Sequence, residues 1–138
     1  MNEINNEEYI KEFDEWNIIK KSLDKRILPD SSFFLEREIW WTSIGINIRT
    51  EVDGKHEHFE RPALILKKFN ENEFMGLSIS TKENIGGLFH TMIHGYELRF
   101  ILLKQIRFYS VNRLLRLMMR IEETEFNIVK EKVRNILL

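Results

Sequence analysis

Five segments of strand-forming composition follow one another between residues 37 and 109, and no helical pattern interrupts them. They are REIWWTSIGINI (residues 37–48), PALILKKF (62–69), FMGLSIST (74–81), LFHTMIHG (88–95) and ELRFILLKQIRFY (97–109). Each is rich in β-branched and aromatic residues with partial alternation, and each is bounded by turn chemistry. Asn70-Glu71-Asn72-Glu73 is a tight link, Gly86-Gly87 and Gly95 punctuate the later segments, and RTEVDGKHEHFE (49–60) is a polar loop carrying the turn signal Asp53-Gly54. Consecutive strands joined by hairpin-length links form antiparallel sheets. A mainly β chain closing into a small curled barrel is therefore expected, in preference to a βαβ arrangement.

Helical periodicity appears only at the two ends. Tyr9, Phe13, Trp16 and Ile19 or the Lys20 stem recur at helical spacing across residues 7–25, and Phe126, Val129, Val133 and Ile136 or Leu137 do so across residues 124–138. Pro29-Asp30-Ser31-Ser32 breaks the first pattern, which divides the chain into a helical N-terminal extension, residues 1–30, and a main domain, residues 31–138. A length of 138 residues suits one core.

Composition narrows the chemistry. Cysteine is absent, which removes disulfides, thiolate nucleophiles and Cys-ligated zinc, and fits a reducing cytoplasm. No apolar run has the length of a membrane span, and the acidic start MNEINNEEYI has neither the basic nor the apolar region of a secretory signal. A cytoplasmic protein without a membrane partner is expected. The net charge of −1 conceals a polarity: residues 1–15 carry six acidic groups against Lys11, while residues 98–121 carry six basic groups and no acidic one. That segment is either a solvated face or the approach to an anionic ligand.

His56, His58, His90 and His94 raise a metal hypothesis that the spacing does not support. His90 and His94 are four apart, but the Glu of H-E-x-x-H is missing, and on a strand four residues span roughly 13 Å. No nucleophile elbow and no phosphate-cradling glycine loop is present. No metal or other cofactor is expected. What remains is Arg61, at the mouth of one strand, and Ser80-Thr81, at the end of the next. A hairpin through residues 70–73 brings them to the same end of the sheet. An arginine there can fork onto a phosphate beside a hydroxyl. It can equally pair with Glu51 or Glu60, and spacing alone favours that structural role.

The order of several motifs adds a resemblance. REIWW, then G-x-N with Glu51 and Gly54-Lys55, then RPALIL-KKFN, LSISTK, LLKQIR and RLLR, resembles the MazF/PemK-like toxins of bacterial type II toxin–antitoxin modules, from about Arg37 to Arg116. The resemblance implies an SH3-like antiparallel barrel with a terminal helix, a homodimer, and a metal-independent endoribonuclease that cuts single-stranded RNA and is held in check by a cognate antitoxin. It implies Arg61 and Ser80 as catalytic residues, and Thr50, Glu51, Lys55, Thr81, Gln105 and Arg107 as substrate contacts. His58, close to Arg61 in sequence, is a candidate auxiliary acid, because an arginine donates protons poorly. Two departures stand out: Arg49-Thr50-Glu51 occupies the place of the family's Gly-Ser-Glu, and Ser78 that of its usual proline.

Other functions stay open at this point. CcdB-like toxins share the fold and poison DNA gyrase without cleaving RNA, so a non-catalytic toxin or protein-binding module is the competing reading. The acidic N-terminal helix either packs on the barrel, or extends a dimer interface, or folds over the basic segment and masks the groove. Removal of residues 1–28 should raise activity only in the masking case.

Overall fold

A computed structural model of the chain describes residues 12–28, 33–45, 47, 53–55, 59–82 and 88–138. Helix α1 (Phe13–Asp24) precedes strands β1 (Glu38–Ser43), β2 (Glu60–Lys68), β3 (Glu73–Ser80), β4 (Phe89–His94) and β5 (Glu97–Ser110). A 3-10 turn (Val111–Arg113) then leads into β6 (Leu114–Arg120), and α2 (Glu123–Leu137) ends the chain. The strands form one antiparallel sheet in the order β4-β5-β3-β2-β1-β6, consistent with a small β-barrel-like fold.

The β2–β3 hairpin is set by its turn. Asn70 Oδ1 accepts from the backbone N–H groups of Asn72 (2.7 Å) and Glu73 (3.0 Å), the local bond that favours asparagine at turns. Its register then runs Lys68↔Phe74 to Ala63↔Ser78, with a bulge between Ile65 and Lys67.

Alternation along the strands sorts the core into two clusters. Ile39, Leu64, Leu66, Leu77, Ile79, Ile101 and Leu103 lie on one face, where α2 covers them with Phe126, Val129 and Val133. Phe34, Trp40, Ile44, Ile65, Phe74, Tyr109, Val111 and Leu114 form the second cluster. Each fully buried Leu, Ile or Phe side chain contributes about 1.5–3 kcal/mol, so these two layers carry most of the fold's stability. Across β4, His90 ties α2 to the sheet: Lys132 Nζ donates to Nδ1 (2.9 Å), which leaves the Nε2 proton for the Glu125 carboxylate (3.2 Å).

Two expectations from the sequence are corrected. Among the described residues there are six strands and not five, because Leu114–Arg120 pairs with β1. Its sequence LLRLMMR has apolar side chains at both parities, with Arg116 and Arg120 four apart, so neither a period of two nor one of 3.6 emerges. The first strand stops at Ser43 and does not run to residue 48. The N–H groups of Ile44 and Gly45 both turn to the Phe59 carbonyl (3.0 Å each), and Gly45 takes φ +81°, a left-handed conformation that glycine adopts without strain.

β5 bends sharply. Leu77 pairs with Ile106, yet Ile79 pairs with Ile101, so residues 102–105 stand opposite Ser78 alone. This irregularity swaps the faces: Ile101 and Leu103 point into the first cluster, whereas Tyr109 points into the second.

Candidate active site

Arg61 lies in β2 opposite Thr42 of β1, and continuing the Ala63↔Ser78 register by two places sets it opposite Ser80. Its guanidinium is oriented by backbone carbonyls from two sides. Nε donates to the Asp53 carbonyl at 2.8 Å, and Nη1 to the Ile79 carbonyl at 3.4 Å. Carbonyls direct the fork without removing its unit charge.

The Asp53 carbonyl is held in turn by the root of the polar loop. Gly54 N–H donates to the Gly45 carbonyl (2.6 Å), and Lys55 and Glu60 exchange both backbone hydrogen bonds (2.9 and 2.7 Å). A Cβ on Gly54 would overlap the Phe59 carbonyl, so only glycine allows this approach. Trp16 of α1 packs on the same root: its ring meets Phe59 edge-on (5.7 Å between centroids), and its indole occupies the space a Cβ on Gly45 would need.

Charge is concentrated around this frame. Arg107 donates to the Ile44 carbonyl (3.4 Å) and lies over the Tyr109 ring (5.2 Å). Arg113 donates to the Ser43 carbonyl (3.1 Å) and lies over Trp16 (5.8 Å). Among the described residues neither guanidinium pairs with a carboxylate. Burial first, then the neighbouring Arg107, pulls the Arg113 pKa down. Burial raises the Tyr109 pKa, against the hydrogen bond from Ser78 and the charges of Arg107, Arg113 and Arg61, so all three arginines act on one phenol. Ser78 is fully buried, and its hydroxyl meets Tyr109 Oη at 3.2 Å.

Beside Arg61 opens a cleft of about 230 Å³ lined by Trp41, Lys55, Glu60, Pro62, Thr81 and Arg99. Lys55 has its pKa lowered by burial, then by Arg61 and Lys82. Glu60, the acidic side chain among the described residues that line the cleft, is occupied: Arg116 holds its two oxygens at 2.7 and 3.3 Å. Glu60 is only 8% exposed, and Arg116 also covers the Trp41 ring at 4.8 Å. Arg116→Met should therefore strand a buried carboxylate, at a cost of about 1–3 kcal/mol, and return negative charge to the cleft. A melting curve and an anion-binding titration should both worsen, and adding Glu60→Gln should restore both. An unaltered melting temperature in Arg116→Met would show that the pair is screened out by solvent.

The structure thus brings Arg61, Lys55 and Thr81 to one cleft and Arg61 and Arg107 to one phenol. Ser80 is half-buried at the end of β3, and its Oγ accepts from the Lys82 N–H at 3.0 Å. Gln105 lies in the β5 bend, on the strand leading to Arg107. Thr50, Glu51 and His58, with Arg49 and His56, fall outside the described residues. The structural alternative for Arg61 divides: Glu60 belongs to Arg116, and Glu51 is outside the described residues.

Arg99 and Arg113 join the site from the structure. Arg99 shares the parity of the buried Ile101 and Leu103, a readable sign that it points inward. Arg113, the last residue of the 3-10 turn, has no such signal. Among the described residues no three His, Asp or Glu side chains gather to hold a metal ion, and no helix is long and apolar enough to cross a membrane.

Sheet and rim together define a small antiparallel β protein with a cleft on which Lys55, Arg61 and Arg99 converge. Residues 36–137 match the family model for the PemK-like, MazF-like toxin of type II toxin-antitoxin system. The chain belongs to that family of toxins, and α1 lies outside the matched span. No curated protein matches the chain.

Proposed function

We propose that this toxin is a metal-independent endoribonuclease that cleaves single-stranded RNA. The observation that carries the reading is Arg61, presented at a groove rim by two backbone carbonyls with Ser80 opposite in register. In the reaction the ribose 2′-OH gives up its proton to solvent water and attacks the adjacent phosphorus, and the bond to the 5′ oxygen breaks. That oxygen takes up a proton, leaving a 2′,3′-cyclic phosphate and a 5′-OH. Charge builds on the non-bridging oxygens of the phosphorane, where a preoriented guanidinium acts most strongly. Arg61 supplies it, and the Ser80 hydroxyl orients the phosphate.

Lys55, Thr81, Gln105 and Arg107 hold the strand on either side, together with Thr50 and Glu51 of the polar loop, and His58 is the candidate proton donor to the leaving oxygen. Unstacked bases lie across the sheet where aromatic side chains can stack on them. Residues 31–138 form the catalytic unit, which works as a cytoplasmic homodimer and is neutralised by an antitoxin laid over the groove.

Purified protein and single-stranded RNA in EDTA test the reading. Products ending in 2′,3′-cyclic phosphate support it. Intact RNA, with Arg61→Ala still toxic in cells, would instead assign the chain to the non-catalytic, CcdB-like mode.

The lowered Lys55 pKa adds a pH dependence. Only the charged ammonium attracts phosphate, so affinity is highest below the Lys55 pKa and falls as pH rises through it, earlier than for an ordinary lysine near about 10.4. Lys55→Arg stays protonated throughout and should flatten that alkaline decline. Titrating an uncleavable single-stranded oligonucleotide over alkaline pH reads the effect, and identical profiles for the two proteins would contradict it.

A further inference from the structure

Arg99 enters β5 two residues after Glu97 and points to the same side as Ile101 and Leu103, where the first core cluster gives out at the end of the sheet. Its side chain is 12% exposed, and its Nε is buried with no hydrogen-bond partner among the described residues. Among the described residues the carboxylate it meets is Glu97, through Nη2 at 3.2 Å, and that carboxylate is 68% exposed and screened by solvent. A buried guanidinium N–H without an acceptor among the described residues is uncommon, and it leaves the Arg99 guanidinium with donor capacity to spare for a ligand.

The cleft it faces supplies the rest. Lys55, Arg61 and Thr81 line the same 230 Å³, Trp41 and Pro62 form its apolar walls, and Glu60 is neutralised by Arg116. At about 30 Å³ per water, that volume displaces several waters, enough for a phosphate with its ester oxygens. Burial first, and then the charges of Arg61 and Lys82, lower the Lys55 pKa, and the second of these causes fits the same surplus of positive charge.

We propose that this cleft is a second phosphate subsite, in which Arg99 holds the RNA phosphodiester next to the one that reacts at Arg61. Arg99 directs its guanidinium N–H groups to a non-bridging oxygen, Lys55 supplies a point charge and Thr81 a hydroxyl. Arg61, standing between cleft and groove, fixes the spacing of the two phosphates. The assignment rests on the ribonuclease reading for the identity of its strand, but its binding arm does not depend on cleavage.

The experiment compares the wild-type chain with Arg99→Met, which keeps the stem and removes the donors. Binding is measured with a single-stranded DNA oligonucleotide, which has no 2′-OH and cannot be cleaved, over a range of salt. Loss of one phosphate contact should reduce the slope of log affinity against log salt by about 0.7. On RNA, kcat/KM should fall roughly tenfold for a hexanucleotide, and by less for a dinucleotide that carries only the reacting phosphate. Glu97→Gln, which releases Nη2, should strengthen oligonucleotide binding, and it reads the same site should Arg99→Met fail to fold. An unchanged salt slope in Arg99→Met overturns the subsite, and so does equal loss on the two RNA lengths. Absence of RNA cleavage by the wild-type chain, with the slope change present, would overturn the ribonuclease reading and leave a phosphate-binding cleft in place.

Discussion

Arg61→Ala is expected to lower RNA cleavage roughly 10²–10³-fold, the range seen when one preoriented donor is removed from developing oxyanion charge. The fold should survive. Arg61 is half-buried at a strand mouth, and its loss leaves the Asp53 and Ile79 carbonyls to water at a cost of about 1 kcal/mol. Arg61→Lys should recover little, because an ammonium cannot use both carbonyl anchors and still present a planar fork to phosphate. Ser80→Ala should cost less than Arg61→Ala, since a hydroxyl orients the phosphate without carrying charge. Initial rates in EDTA, with detection of cyclic phosphate ends and a melting curve for each variant, decide the matter. Wild-type rates in a folded Arg61→Ala protein would remove Arg61 from the chemistry.

The second large effect concerns α1. Trp16→Ala should destabilise the packing of α1 by about 3 kcal/mol, the low end for losing a buried tryptophan, because its cluster holds only Phe59 as a second buried member. The far end of the helix would still be tied: Arg26 donates to the Asn112 and Leu114 carbonyls (2.9 and 2.6 Å), and Asn112 Nδ2 to those of Leu23 and Arg26 (3.0 Å each). A free helix of 12 residues is marginal in water, so helical content should also fall.

Activity should fall with it. Gly45 and Phe59 are the two roots of the loop that carries Asp53 and Lys55, and the Asp53 carbonyl aims Arg61. Gly45→Ala should reproduce the effect by a separate route, since its Cβ would displace the Trp16 indole and its φ of +81° disfavours alanine. Circular dichroism, melting and cleavage rates measure all three consequences. A rise in activity in both variants would establish instead that the helix masks the groove.

Much of this molecule can be read from local pattern. The alternating runs around Leu64, Leu77 and Ile101, the Asn70 turn between β2 and β3, and the 3–4 spacing of Phe126, Val129 and Val133 each express a constraint acting within a few residues. Arg61 and Ser80 could be placed at one end of the sheet because a hairpin counts residues symmetrically from its turn. The helix limits expected from periodicity, residues 124–138, differ from Glu123–Leu137 by one residue at each end.

The rest depended on contacts between distant parts of the chain. β6 became a strand because β1 offered it a ladder, with Trp40↔Leu117 and Trp41↔Arg116 in register, and no periodicity within LLRLMMR announced that pairing. Arg116 was thereby drawn to Glu60, which left the cleft cationic. The bend at residues 102–105 separated Arg99 from Arg107, sending one to the cleft and the other to Tyr109. Trp16 found Phe59 and Gly45 across a break that the sequence marks only as turn residues. Sequence by itself determined five of the strands, the two helices and the arginine at the strand mouth, because side-chain alternation and turn bonds are local. Tertiary structure alone decided which charges are cancelled and which face the groove, because that follows from which residues meet across the sheet.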